Sequence, residues 1–266
     1  MNKVADTVTP LRNSNKIRVG AVSYLNTKPL IYGLENGMMK EEIDLVMDYP
    51  GKIAQALLDD SIDIGLVPVA IIAEMKEYHL DAAYCIASDG AVASVCLFSE
   101  VPVEEITTVL LDYQSRTSVL LVQYLLKKYW KINPLFKSAG HNFISLIKGT
   151  TAAVVIGDRA LQQRKFSPYI YDLGLTWKQH TGLPFVFAAW VSNKPMTEQF
   201  IADFDQANQF GLDRLEEVVQ ENSCPDYDLK KYYTENIQYR LDDLKRQGLQ
   251  LFLDWCRALK TSSMPV

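Results

Sequence analysis

No cysteine pair in this chain has metal or redox spacing. Its four cysteines, Cys85, Cys96, Cys224 and Cys256, stand too far apart to form a C-x-x-C motif. A zinc ribbon and a thioredoxin-like pair are thereby excluded. Cys85 and Cys96 fall in apolar, strand-like runs and read as reduced core residues. Histidine is scarce: His79, His141 and His180 are scattered without ligand spacing, and only the last two are candidates for chemistry. The chain has no Gly-rich phosphate loop, no G-x-S-x-G elbow and no H-E-x-x-H helix, so nucleotide enzymes, serine hydrolases and zinc peptidases are poorly supported. No apolar run approaches the ~20 residues of a membrane span. Residues 1–16 are polar and lack the apolar core of a secretory leader. Positive charge is not in excess: 27 Lys and Arg against 32 Asp and Glu leave a net charge of -5, which argues against nonspecific nucleic-acid binding. The expectation is a cytoplasmic enzyme or binding protein without nucleic-acid or membrane partners, with residues 1–15 a loose tail.

What is present is an alternation of strand and helix signals over 266 residues, 48% of them hydrophobic. Strands are predicted at 17–22, 43–47, 62–67, 82–87, 92–98, 108–111, 152–156, 169–173 and 185–191. Helices are predicted at 29–35, 51–58, 69–75, 115–129, 142–147, 159–163 and 176–180, and over most of 197–260. Ser88-Asp89-Gly90 carries a tight-turn signature, which predicts a hairpin between 82–87 and 92–98. Such alternation argues for the α/β class, with parallel sheets covered by helices. Two series of it suggest two lobes: 16–98 with 187–266, and 99–186. Ligands of open α/β sheets bind beyond the carboxyl ends of strands, and a cleft between lobes gathers several such ends.

Small polar residues recur at those ends. The run of residues 17–22 delivers Ser23, Tyr24, Asn26 and Thr27 to a strand-to-helix junction, where Pro29 sets the first helical turn. Asn26 or Thr27 can cap that helix, or its free N–H groups can hold an anion. Ser115-Arg116-Thr117-Ser118 opens the next strong helix and admits the same pair of readings: a carboxylate site favoured by the helix dipole, or a plain serine cap with a solvated Arg116. Ser88, Gly90 and Ser94 follow a strand end and read as turn or ligand residues. Gly157-Asp158 reads as ligand contact or N-cap, and Thr181-Gly182 as ligand contact or helix stop.

Taken together in order, these blocks resemble one family. Residues 22–30, Pro68 after 62–67, Ser88-Asp89-Gly90 with Ser94, Ser115–Ser118, Ile156-Gly157-Asp158 with Ala160-Leu161, and Thr181-Gly182-Leu183-Pro184 with Phe185 match the chorismate dehydratases of the futalosine pathway of menaquinone biosynthesis. The resemblance runs from about residue 17 to about 191, more weakly through the tail. It implies a fold with two lobes like the type II periplasmic binding proteins, a central sheet in each lobe and an interlobe cleft. The implied reaction removes water from chorismate, a dianion, to give 3-[(1-carboxyvinyl)oxy]benzoate, with no metal or organic cofactor. It further implies that the substrate's enolpyruvyl carboxylate acts as base and that Asn26 orients the substrate. Ser88 and Ser94 would bind one carboxylate or the leaving oxygen, and Ser115, Thr117 and Ser118 the other carboxylate. The sister 1,4-dihydroxy-6-naphthoate synthases share the fold but open on a Cys-Pro-Asn-Asp kind of motif, where this chain has Tyr24-Leu25-Asn26-Thr27. A non-catalytic solute-binding protein is the other alternative. Oligomeric state is open, a homodimer being allowed.

Overall fold

A computed structural model of the protein describes residues 16–262; the tail expected over 1–15 lies outside the described residues. Among the described residues, eleven strands fall into two sheets. The first half of the chain contributes β1 (Ile17–Val22), β2 (Ile43–Asp48), β3 (Ile64–Pro68) and β4 (Tyr84–Ser88) to one sheet. The other sheet takes β5 (Val95–Ser99), β6 (Thr108–Leu111), β7 (Leu135–Ser138), β8 (Thr151–Ile156) and β9 (Tyr169–Asp172). The chain then returns to the first with β10 (Phe185–Ser192) and β11 (Gln238–Arg240). The strand orders are β11-β4-β10-β3-β1-β2 and β7-β6-β8-β5-β9. Strands β1, β2 and β3 are parallel, as are β6, β7 and β8, while β10 and β5 run antiparallel to their neighbours. This is the expected α/β architecture with a sheet in each of two lobes.

The hairpin predicted at Ser88-Asp89-Gly90 does not form. β4 bonds to β10 and β11, whereas β5 bonds to β8 and β9. Residues 89–94 are therefore a crossing between sheets, and the sheet boundary precedes Val95 instead of following residue 98. The return crossing lies at 182–184, so β10 begins the first sheet again two residues before the expected boundary at 187.

Helices cover the sheets as the apolar spacing requires. The helices α1 (Lys28–Glu35), α2 (Pro50–Leu58), α3 (Thr117–Leu125) and α4 (Asp158–Gln163) each follow a strand. Next, α5 (Leu173–Thr181) precedes the return crossing, and α6 (Glu198–Leu212), α7 (Leu215–Glu221), the single turn α8 (Leu229–Lys231) and α9 (Asp243–Ser262) complete the first lobe. β7 and β11 stand where no strand was predicted. Cys85, Cys96 and Cys256 are buried, Cys224 is half-buried and none is in a disulfide, as reduced core residues require. The main apolar core is continuous beneath both sheets.

Asp172 locks the crossing. Its carboxylate accepts N–H bonds from Val92 and Ala93 on the crossing segment, at 3.0 and 2.7 Å, and from Gly174 and Leu175 at the start of α5, both at 3.1 Å. Ala93 takes φ +61°, a left-handed conformation that costs energy outside glycine. Burial pushes the Asp172 carboxyl up, and the backbone N–H groups oppose that shift. Asp172→Ala leaves those donors without their acceptor and should destabilise the fold by about 3 kcal/mol or more. Urea unfolding with a midpoint equal to that of the unmodified protein would disprove this role.

Candidate functional site

A cavity lies between the lobes, at the carboxyl ends of the parallel strands. Its wall includes Val22, Pro68 and Ile156, the final residues of β1, β3 and β8. The unfilled space is ≈ 490 Å³ when the open solvent at its mouth is counted. Apolar side chains of Ile86, Val95 and Phe187 form part of the wall. Polar atoms come from both lobes: Tyr24, Asn26 and Thr27 from one, Ser115, Thr117 and Ser118 from the other. Helices α1, α2 and α3 all begin at this wall, bringing Thr27, Pro50 and Thr117 to it, with their positive dipole ends toward the cavity.

The capping alternatives divide. Neither Asn26 nor Thr27 caps α1: Thr27 is the N-cap without a side-chain cap bond. Instead Thr27 Oγ1 donates to Asn26 Oδ1 at 3.3 Å, which leaves the Asn26 NH₂ group to donate elsewhere. Ser115 does cap, its Oγ accepting from Ser118 N at 3.0 Å. Thr117 Oγ1 accepts from Ala70 N at 3.1 Å, a bond between lobes. Each of these two hydroxyls keeps its own proton for a ligand. Asp158 does not cap its own helix, whose N-cap is Gly157. Its Oδ1 reaches the other lobe and accepts from Leu25 N at 3.2 Å, while burial raises its pKa.

Other expected site residues lie outside the cavity. Ser23 is exposed. Ser88 is buried, its Oγ donating to the Gly90 carbonyl at 3.0 Å. Ser94 is buried with its Oγ accepting from Tyr232 at 2.6 Å, and its carbonyl accepts from Gly157 N at 2.8 Å. Both serines serve the crossing and support the wall from behind; neither lines the cavity. Arg116 donates to Glu74 and Gln55, at 3.5 and 3.2 Å, and does not line the cavity. Thr181 and Gly182 end α5, where Thr181 Oγ1 donates to the Trp177 carbonyl and Gly182 adopts φ +74°. Here the helix-stop reading holds. His141 lies in an outer groove with Tyr113, and His180 packs on Tyr124 and Tyr129.

A network that the sequence did not announce fixes Tyr24. Its hydroxyl donates to Gln114 Oε1 in the other lobe, and burial pushes the phenol pKa up. Arg159 donates to the same oxygen at 2.8 Å and pairs with buried Asp112 at 2.7 Å. Asp112 also accepts from Gln114 N and Ile156 N, so the ends of β6 and β8 share one carboxylate. Among the described residues no Lys, Arg or His lines the cavity, and no group of three or more His, Cys, Asp and Glu could hold a metal ion. No helix of the described residues is long and apolar enough to cross a membrane.

Gly157 stands close against the Tyr24 ring in the wall. It adopts φ +65°, ψ -149°, a region reserved for glycine. A Cβ there would also stand 3.2 Å from the Tyr24 ring. Gly157→Ala should cost about 1–3 kcal/mol of stability and displace the ring. Unfolding curves and Tyr24 fluorescence or NMR shifts matching the unmodified protein would refute this.

A family model described as menaquinone biosynthesis matches residues 17–258. The chain is 26% identical to a chorismate dehydratase from Thermus thermophilus, covering 89% of this chain and 93% of that protein. It is 27% identical to a chorismate dehydratase from Campylobacter jejuni, covering 90% and 97%. The fold is similar to that of the periplasmic aliphatic sulphonate binding protein SsuA from Escherichia coli, with a TM-score of 0.63, 16% identity and 96% of each chain covered.

Proposed function

The chain belongs to the menaquinone biosynthesis family, and on that footing we propose that it is a chorismate dehydratase acting in the cytoplasm. Two relatives of that name, each aligned over about nine-tenths of this chain, support the reading. The observation that carries it is the composition of the cavity: amide and hydroxyl donors from both lobes, helix starts and an apolar wall. That composition suits a small cyclic dianion whose reaction needs orientation more than protein acid or base.

The reaction is a hydro-lyase elimination. The C3–H proton leaves, the C3–H electrons form the new ring π bond, and the C4–O bond breaks with loss of hydroxide. Proton and hydroxide depart together as water, and the ring becomes aromatic, which supplies the drive. The enolpyruvyl carboxylate of the substrate takes the proton from C3 and passes it to the departing C4 hydroxide, which leaves as water and restores the carboxylate. The protein's part is to hold the ring and both carboxylates in a reactive pose. Asn26, with its carbonyl oxygen engaged by Thr27, donates N–H bonds that orient the enolpyruvyl carboxylate or the leaving oxygen. Ser115, Thr117 and Ser118 at the start of α3 hold the ring carboxylate. Tyr24, held by Gln114, and the apolar side chains bound the ring. Arg116, Ser88 and Ser94 have no part in contacting substrate.

Purified protein incubated with chorismate is expected to yield an aromatic product, seen by ultraviolet absorbance and mass spectrometry, with a chelator present as well as without. Chorismate recovered unchanged would make the protein a binder and end the dehydratase reading. Asn26→Asp should lower kcat on the order of 100-fold, since a donor is lost and a negative charge faces a dianion. Unaltered kinetics in that variant would remove Asn26 from the site.

A further inference from the structure

Asn26 rides on a single turn of 3₁₀ helix, Leu25–Thr27, too short to hold a side chain by its own hydrogen bonds. Two groups outside the cavity grip that turn. Asp158 Oδ1 accepts from the N–H of Leu25, one residue before Asn26. The hydroxyl of Tyr239 donates to the carbonyl of Asn26 itself at 3.1 Å. The two come from different parts of the fold: Asp158 opens α4 in the second lobe, and Tyr239 is the middle residue of β11 at the edge of the first sheet. Tyr239 is 7% exposed, so its phenol needs a partner, and the Asn26 carbonyl supplies it. Tyr233 shows the contrast, with a buried hydroxyl that has no partner among the described residues. Neither Tyr239 nor Asp158 lines the cavity.

We infer that Tyr239 and Asp158 are positioning residues for Asn26: they hold its peptide from two sides and so aim its side-chain amide at the substrate. The inference rests on the dehydratase reading. A reacting pose displaced by about 1 Å can cost on the order of 100-fold in rate, so a backbone grip of this kind bears on turnover while leaving substrate contacts intact. Asp158 also ties the aim of Asn26 to closure of the lobes, because the bond to Leu25 exists only when α4 meets the turn.

A double-mutant cycle tests the grip, because coupled residues depart from additivity. Tyr239→Phe keeps the ring and removes the donor. In the otherwise unmodified protein it is expected to lower kcat about tenfold, with KM changed less than about twofold and the melting temperature close to the starting value. In an Asn26→Ala background, assayed at high enzyme concentration, the same change should leave the residual rate unaltered, because the residue it acts through is gone. Asp158→Ala, run through the same cycle, gives the second reading if Tyr239→Phe folds poorly. Asp158→Asn, which retains an acceptor for Leu25 N–H, should recover most of the rate. An unchanged kcat in Tyr239→Phe, or equal fold-losses in both backgrounds, would overturn the inference while leaving the dehydratase reading standing. Failure of the unmodified protein to consume chorismate would instead remove the reading, and the inference with it.

Discussion

The carboxylate of Asp172 is the constraint on which the rest of the structure depends. It sits where the chain passes between sheets and converges four backbone N–H groups on one buried anion. Those bonds offset the cost of burying the charge and hold Ala93 in a left-handed conformation. The consequence runs outward residue by residue. Ala93 places Ser94, whose carbonyl accepts a hydrogen bond from Gly157 N–H and whose hydroxyl oxygen accepts one from the Tyr232 hydroxyl. Gly157 in turn lies against the Tyr24 ring, which closes one side of the cavity. A single acid at the crossing thus sets the shape of a wall built from both lobes.

That wall is a joint product. One lobe contributes the turn with Asn26 and Thr27; the other contributes the start of α3 and the Asp112–Arg159–Gln114 network that pins Tyr24. Bonds between the lobes touch the site directly, from Ala70 to Thr117 and from Leu25 to Asp158. The cleft therefore acquires its geometry only when the lobes meet.

The parts of this arrangement written in local chemistry were legible in the sequence. β1 and the Tyr24–Thr27 junction followed from an apolar run ending in polar residues before Pro29, and Ser115 from its place at the head of a strong helix. Long-range partners were not legible. Ser88-Asp89-Gly90 has the composition of a hairpin turn, yet the strands on either side find partners far along the chain: β4 pairs with β10 and β11, and β5 with β8 and β9. β7 is mostly exposed and β11 has three residues, so neither carries the apolar signal of a buried strand. Ser94 looked like a ligand because its type and position suit one. Its true partner, Tyr232, is 138 residues distant. Tyr239 gave no signal at all, since a lone tyrosine in a helical tail reads as core. Gln114 and Arg159 were hidden for the same reason: their importance lies in meeting Tyr24, which no spacing records.

The neutral character of the wall bears on proton affinity. A carboxylate set against a guanidinium or ammonium loses basicity, because the opposite charge favours its ionised form strongly. Hydroxyls, an amide and backbone N–H groups stabilise the anion with partial charges only, and apolar neighbours such as Ile86 and Phe187 shift the balance back toward the protonated acid. Arg116 and Arg159 stand close by but are spent on Glu74 and Asp112. On the proposed reading, a carboxylate lodged here would keep more of its affinity for a proton than beside either arginine, so a wall of this composition would leave a bound acid able to work as a base.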